Sequence, residues 1–534
     1  VAFFLGKKED GPKVKTYLSR ELPRFMLPSH LIALDRFPLN NNGKIDDKSL
    51  RDKALRQKGP DRRNIDPRNE VENKLCQLWK DVLNSEKISV TDSFFDLGGN
   101  SILAIKLVNK INDRLKCNIK INDLYNYASI EDLCLLIKGE SESHESQILE
   151  YNRSEYPIKP MTRTGSTPIH KRPFDKVLIT GATGFVGVYV LSELLKKKSV
   201  GQIYCLVRAK SMKIAKLKII DALKYYHLHK EGEEKKIKVV LGDLGKTNLG
   251  LGPLDYNRLS MEIDAIYNIG AQLDLLSSYD QLKGTNVSGT AALIDLAVSD
   301  KIKKLIHIST LSIFTASESG TLAENTDISG QKHFMKNGYK SSKWVAERLL
   351  IDSRDLGLDV QIVRLGLITG DSRSGKMPQH QWFNKLLRSC IQMGAYPKDF
   401  SAHCTPVDFV ARAIVKLSEL EDEPNYIFHL TNQDPIKLER ILSTQNGGLN
   451  GLKAMDGEQW ITELYQNHRE NPLPIVPLID FGNIAFDENN NISISYTVKN
   501  YHYSSEMTLG LLSKLNVVFP DEHEFISKYI NSLN

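Results

Sequence analysis

Cysteine is scarce in this chain and never clustered. The six thiols, Cys76, Cys117, Cys134, Cys205, Cys390 and Cys404, form no CxxC pair and have no histidine cluster beside them. That pattern argues against a disulfide framework and a structural zinc site, and it fits reduced thiols in a cytoplasmic protein. No apolar run is long enough to span a bilayer, and no basic-then-apolar leader opens the chain. Neither a membrane span nor a signal peptide is therefore expected. A strong charge of either sign is missing too. The 71 basic residues face 65 acidic ones, a formal net charge of +6. So small an excess gives no reason to expect nucleic acid as a partner. The basic residues do gather between Lys196 and Lys238, as on a solvated helix face. The first residue is Val, not Met, which reads as a piece of a longer protein.

What is present is length and patterning. A chain of 534 residues is too long for one core, and about three or four domains are expected. Polar, Pro- or Ser-rich stretches at KGPDRRNIDPRNE, GESESHESQ and YPIKPMTRTGSTPIHKRP cannot bury enough apolar area to fold, so they read as linkers. The resulting division is 1–60, a linker at 61–68, a module at 69–140, a linker at 141–172 and a large region at 173–534. In the small module, NEVENKLCQLWKDVL, SILAIKLVNKIND and SIEDLCLLIK have helical apolar spacing, and Ser129 with Asp132 resembles a capping box. The large region differs. DKVLIT, QIYCLVR, IKVVLGD, AIYNIG, KLIHIS and VQIVRLG are short β-branched runs alternating with helical stretches, the pattern of a doubly wound parallel sheet.

One serine stands out in the small module. In FFDLGGNSILAIKL, Ser101 follows Gly98-Gly99-Asn100 and precedes an apolar helix. As an N-cap it needs no further function. Yet Phe94, Phe95 and Leu97 can pin the loop while the glycines leave the hydroxyl bare, and the helix start favours an attached phosphate. TDSFFDLGGNSILAIKL resembles the thiolation (peptidyl carrier) domains of non-ribosomal peptide synthetases, all-α four-helix modules. That resemblance implies that Ser101 carries 4′-phosphopantetheine, whose thiol holds an acyl chain. Upstream, LPRFMLPSHLIALDRFPLNNNGKIDDKSL resembles the end of an adenylation domain, a small α+β subdomain. By that match Lys44 is its adenylate-contacting lysine. The adenylation core is missing, so the chain is not expected to activate an acid by itself.

The large region opens with VLITGATGFVGVYVLSELL, a strand, a TGxxGxxG turn and a helix. Gly181 permits the tight turn, Gly184 a close backbone approach to pyrophosphate and Gly187 close helix–strand packing. Arg208 stands at the end of the next strand, where a cofactor lacking the 2′-phosphate usually meets Asp or Glu. An arginine there, with Lys218 further on, matches a phosphate and favours NADPH over NADH. Asp243, after the third strand, either touches the adenine or caps a turn. Tyr339 and Lys343 in GYKSSKWVAERLL stand one helical turn apart. A protonated lysine there lowers the tyrosine pKa and binds the nicotinamide ribose. Thr310 and Ser312 in IHISTLSIF end a strand, where a hydroxyl can bind a carbonyl oxygen.

TGATGFVG, LVRAK, GDL, YDQLKGTNVSGT, STLS, GYKSSKWVAE, VRLGLITGDSRSG and TPVDFVA resemble the thioester reductase domains that terminate some synthetases, aminoadipate reductases and carboxylic acid reductases. These are extended short-chain dehydrogenases. The resemblance implies a Rossmann core at about 173–370 and 405–435, with a smaller, mostly helical substrate subdomain from the remainder. It implies a catalytic set of Thr310, Tyr339 and Lys343, with Ser309 and Ser312 as alternatives to Thr310. It implies cofactor contacts at Gly181, Thr183, Gly184, Phe185, Val186, Gly187, Arg208, Lys218, Asp243, Leu244, Asn286 and Arg364. The chain departs from the family at Ile269 and Asp274, and at Arg364-Leu365-Gly366 where RPG is usual. Trp382, Phe383 and Tyr396 either shape a substrate pocket or belong to the core. The implied function is NADPH-dependent release of a carrier-bound aminoacyl or peptidyl thioester as an aldehyde, or as an alcohol after a second hydride. Alternatives are an aminoadipate-type or carboxylic acid reductase, non-redox cyclising release, and a non-catalytic docking module. The implied partners are upstream adenylation and condensation modules, a phosphopantetheinyl transferase and the acyl thioester, with no metal, nucleic acid or membrane.

Overall fold

The computed structural model describes residues 2–6, 14, 31–34, 37–38, 46, 50, 65–138, 148–157 and 173–533, other than 84, 86, 95–96, 98, 100, 116, 118, 120–122, 125–126, 275–276, 315–319, 332, 335–337, 399, 421–424, 444–450, 471–472, 476–483, 487–491 and 495–500. They fall into two compact units, Val1–Ser146 and Gln147–Asn534. Among the described residues no helix is long and apolar enough to cross a membrane.

In the first unit, β1 (Ala2–Leu5) pairs in parallel with β2 (Leu31–Leu34). Lys44 lies outside the described residues. Three helices follow: α1 (Glu70–Leu83), α2 (Ser101–Leu115) and α3 (Ile130–Lys138). Between α2 and α3, where a four-helix module needs its remaining helix, only Asp123 and Leu124 are described as helical. The apolar stripes meet as the 3.6-residue period requires, Leu75, Leu78 and Trp79 packing with Ala104, Leu107 and Ile111 and with Ile130 and Leu133. At the start of α3 the Asp132 N–H donates to Ser129 Oγ at 3.1 Å, and that hydroxyl donates to the Asp132 carboxylate at 2.7 Å.

The second unit is built on a seven-stranded sheet. In chain order the strands are β4 (Lys176–Thr180), β5 (Gln202–Val207), β6 (Ile237–Leu241), β7 (Ala265–Asn268), β8 (Lys304–Thr310), β10 (Val360–Leu365) and β11 (Ile427–Leu430). In space they run β11-β10-β8-β7-β4-β5-β6, every pairing parallel. All six β-branched runs are strands of this sheet, and Ile427–Leu430 completes it. Side chains alternate between two cores. Val177 and Ile179 join one with helices α4 (Phe185–Lys196) and α8 (Val407–Ser418). Leu178 and Leu305 join the other with α6 (Gly289–Val298) and α7 (Gly338–Asp355). Helix α5 (Met212–Tyr225) links β5 to β6. Strand order reverses about β4, between β5 and β7, and a doubly wound sheet binds ligands at such a switch point.

One expectation is corrected. The linker expected at 141–172 contains a docked arm. Strand β3 (Ile148–Leu149) pairs antiparallel with β9 (His333–Phe334). Tyr151 then packs edge-on against Trp344 and donates its hydroxyl to Asp352 at 2.6 Å, both on α7. Polar composition hid two aromatic anchors, Tyr151 and Tyr156, which pack on the second core.

Candidate active site and carrier site

The carrier site is built from the loop before α2. Phe94 is fully buried and sits edge-on to Trp79. Its carbonyl accepts the Gly99 N–H at 2.9 Å, and a side chain at 99 would overlap the Phe94 ring. Gly99 is thus pressed onto the buried Phe94, and Ser101 is the first residue of α2. The first turn of α2 holds no acidic residue, so no carboxylate of that turn opposes the positive end of its dipole toward a phosphate. That fits a phosphopantetheine attached at Ser101.

The nucleotide site lies beyond β4. Gly181 has φ +72°, and a Cβ there would crowd the backbone of Gly270. A Cβ at Gly187 would overlap the Gly181 carbonyl oxygen, so the turn and α4 close on each other only as glycines. Gly184 caps α4 with no side-chain hydrogen bond, which leaves the first-turn N–H groups for a ligand. Thr183 and Gly184 are exposed at this mouth, while Phe185 and Val186 pack partly against the core. Arg208 is exposed at the end of β5, and its guanidinium has no hydrogen-bond or ion-pair partner among the described residues. Lys218 of α5 donates to the Arg208 backbone carbonyl at 2.9 Å, which holds its ammonium at the end of β5. An open helix start, a glycine cradle and an unpaired arginine fit a nicotinamide dinucleotide bearing a phosphate.

Asp243 accepts the Gly245 N–H at 3.0 Å, so it caps a turn. Leu244 packs against Gly270 and Gly289. Asn286 lies in a π-helical turn, Gly284–Ser288. It accepts the Gln272 N–H at 2.8 Å and donates to the Gln272 carbonyl at 3.0 Å and to Ser342 Oγ at 2.9 Å. It therefore clamps the loop after β7 to α7. Arg364 requires correction. Expected to touch the cofactor, it is 0% exposed, paired with Glu347 at 2.9 Å and stacked over Phe314. Its strand faces α7, and a buried guanidinium needs the carboxylate that α7 supplies.

Thr310 ends β8, half-buried, with its hydroxyl 2.9 Å from that of Ser312. Ser309 is buried and its hydroxyl has no partner among the described residues, so of the two adjacent hydroxyls only Thr310 is open to a substrate. Tyr339 is half-buried near the start of α7, and burial pushes its hydroxyl up to about 12. Lys343, one turn on, is 3% exposed. Burial pushes its ammonium down to about 8, against the opposing pull of Glu347. The lowering of the tyrosine expected from its lysine is therefore absent in the chain as it stands. Nζ lies 2.9 Å from His307 Nε2 and donates to the Ile308 carbonyl at 2.6 Å. Sequence reading missed His307, and missed Thr180 and Asn268 behind it. Their one signal is place, each lying at or near the C-terminal end of a strand. Phe383 and Tyr396 are core residues, and Trp382 packs edge-on against Phe383 and Phe400.

A glycine-turn nucleotide fold carrying a Thr, Tyr and Lys set defines the class, an NAD(P)H-dependent oxidoreductase of the short-chain dehydrogenase type, here behind a carrier module. Comparison with known proteins agrees. A family described as "Male sterility protein", NAD-binding, matches residues 179–414, and one described as "Phosphopantetheine attachment site" matches residues 73–137. The terminal R domain of the myxalamid PKS-NRPS pathway is 31% identical, with a TM-score of 0.59 over 67% of this chain and 90% of that one. A thiolation-reductase di-domain from an archaeal non-ribosomal peptide synthetase shares the fold at a TM-score of 0.60 and 23% identity, over 88% of this chain and 98% of that one. A linear gramicidin synthase polypeptide of Brevibacillus parabrevis is 30% identical over 88% of this chain, which spans 9% of that polypeptide's length. The chain belongs to the family of terminal reductase domains of peptide synthetases, with a phosphopantetheine carrier domain ahead of the reductase.

Proposed function

We propose that this chain ends an assembly line by reducing the acyl thioester carried on Ser101 and releasing it as an aldehyde. The observation that carries this reading is the pairing on one chain of a serine at a helix start, within a carrier module, with a nucleotide fold whose exposed arginine suits NADPH. When bound, the nicotinamide supplies the hydride and the arm on Ser101 supplies the thiol that delivers the acyl group. The residues of the chain do the rest. The glycine turn and the start of α4 hold the pyrophosphate, and Arg208 with Lys218 hold the 2′-phosphate. Thr310 and Tyr339 donate hydrogen bonds to the carbonyl oxygen as charge develops there, and Tyr339 supplies a proton. Lys343 holds the ribose and tunes Tyr339. One hydride and one proton convert thioester to aldehyde and free thiol. Upstream adenylation and condensation modules supply the acyl group, and a phosphopantetheinyl transferase loads Ser101.

The test is to load Ser101 with aminoacyl or dipeptidyl pantetheine, add NADPH or NADH, and identify the product by mass spectrometry. Aldehyde or alcohol formed faster with NADPH supports the reading. A cyclic or hydrolysed product without cofactor oxidation overturns it.

A further inference from the structure

The contact between Lys343 and His307 has a direction, found by counting hydrogens outward from the glycine turn. The Gly270 N–H donates to Thr180 Oγ1 at 2.9 Å, and that hydroxyl spends its single hydrogen on Asn268 Oδ1 at 3.0 Å. The Asn268 amide oxygen is therefore turned toward Thr180. Its NH2 faces Thr290 Oγ1 at 3.3 Å and His307 Nδ1 at 2.9 Å. Thr290 confirms this orientation independently, because its own hydroxyl donates to the Asn286 carbonyl at 2.8 Å and so can only accept from Asn268. An amide NH2 only donates. His307 Nδ1 therefore accepts, and in a neutral imidazole the one hydrogen must sit on Nε2. Nε2 is the atom 2.9 Å from Lys343 Nζ, while Nζ gives a hydrogen to Ile308 at 2.6 Å.

We propose that in the cofactor-free chain His307 donates its Nε2 hydrogen to Lys343, holding the lysine as a free amine against the end of β8 and acting as its positioning residue. Burial holds His307 well below its ordinary range, so the ring stays neutral. Among the described residues, the titratable groups that act on Lys343 are His307 from β8 and Glu347 from its own helix. Glu347 is tied to Arg364, and the neighbours Asn268, Asn286 and Ser342 are uncharged. For Nζ to become an ammonium and keep this contact, the hydrogen on His307 must move to Nδ1 and Asn268 must turn over. The pair titrates as one unit. The contact stands on geometry alone; its meaning for catalysis rests on the reductase reading.

The first measurement uses the wild-type chain without cofactor, labelled with nitrogen-15 histidine. His307 is assigned by the signal lost in His307→Gln. Multiple-bond spectra at about pH 9, above the value of about 8 to which burial pushes the lysine, should place its hydrogen on Nε2 of a neutral ring. A hydrogen on Nδ1, or a doubly protonated ring, at that pH overturns the inference. The second measurement is NADPH oxidation against pH in two variants. His307→Gln accepts from Asn268 through its oxygen and offers its NH2 to Nζ, and should retain the wild-type pH profile. His307→Leu should lower kcat about tenfold or more and displace the alkaline limb. A folded His307→Leu chain with the wild-type profile overturns the inference. A wild-type chain that neither binds nor oxidises NADPH overturns the reductase reading alone, since the tautomer is read without cofactor.

Discussion

Helices α2 and α4 both begin behind glycines, and the two starts differ in what they present. At α2 the glycine is pressed on a side chain, the Phe94 ring, and the helix opens on a hydroxyl, Ser101. At α4 the glycines are pressed on backbone, Gly187 against the Gly181 carbonyl and Gly181 against Gly270, and the helix opens with no polar side chain at its cap. Both present a positive helix end to phosphate. On the proposed reading the first offers a nucleophile through which the phosphate would become covalent. The second would offer bare N–H groups, so that a dinucleotide could bind and leave. The teaching is that glycine before a helix does not name a function; what the first turn presents does.

The comparison can be broken at either end. Ser101→Ala should abolish the mass gain on treatment with a phosphopantetheinyl transferase and coenzyme A, while NADPH binding is unchanged. Mass gain in that variant would place the attachment elsewhere. On the reductase side, Tyr339→Phe should lower kcat by about a hundredfold or more with carrier loading intact. A Tyr339→Phe chain at wild-type rate would remove the tyrosine from the chemistry. Gly187→Ala, whose new methyl meets unyielding backbone, should weaken NADPH binding at least about tenfold in a fluorescence titration, an overpacking cost of about 1–3 kcal/mol. Arg208→Ala should cut the preference for NADPH over NADH by about tenfold, measured as a ratio of kcat/KM values. The smallest effect belongs to the carrier. Ser129→Ala removes the cap of α3 and should cost about 1 kcal/mol in urea denaturation of the carrier unit, with loading still complete.

How much of this was legible depended on whether the signal was local. The six strands could be read because parallel strands buried on both faces are continuous β-branched runs. Ile427–Leu430 was not among the runs read as strands, although it lies within the core expected at 405–435. The glycine turn, Tyr339 and Lys343 were legible because turn chemistry and helical spacing act within a few residues. Arg364 was misassigned for the converse reason. Its partner Glu347 comes from a different element, and an arginine in isolation reads as exposed. His307 and Lys343 meet across two elements and Asn268 across a third, so no spacing announces them. The arm at 148–157 was taken as linker because its polar residues outnumber Tyr151 and Tyr156, which anchor it.

The central claim, that hydride from NADPH releases the acyl group held on Ser101, is tested most directly by isotope transfer. The chain would be loaded at Ser101 with a defined aminoacyl pantetheine and given NADPH deuterated at the transferred position of the nicotinamide. The account predicts a released aldehyde with deuterium on the former carbonyl carbon, and no such product from Tyr339→Phe. Release without deuterium at that carbon would contradict it.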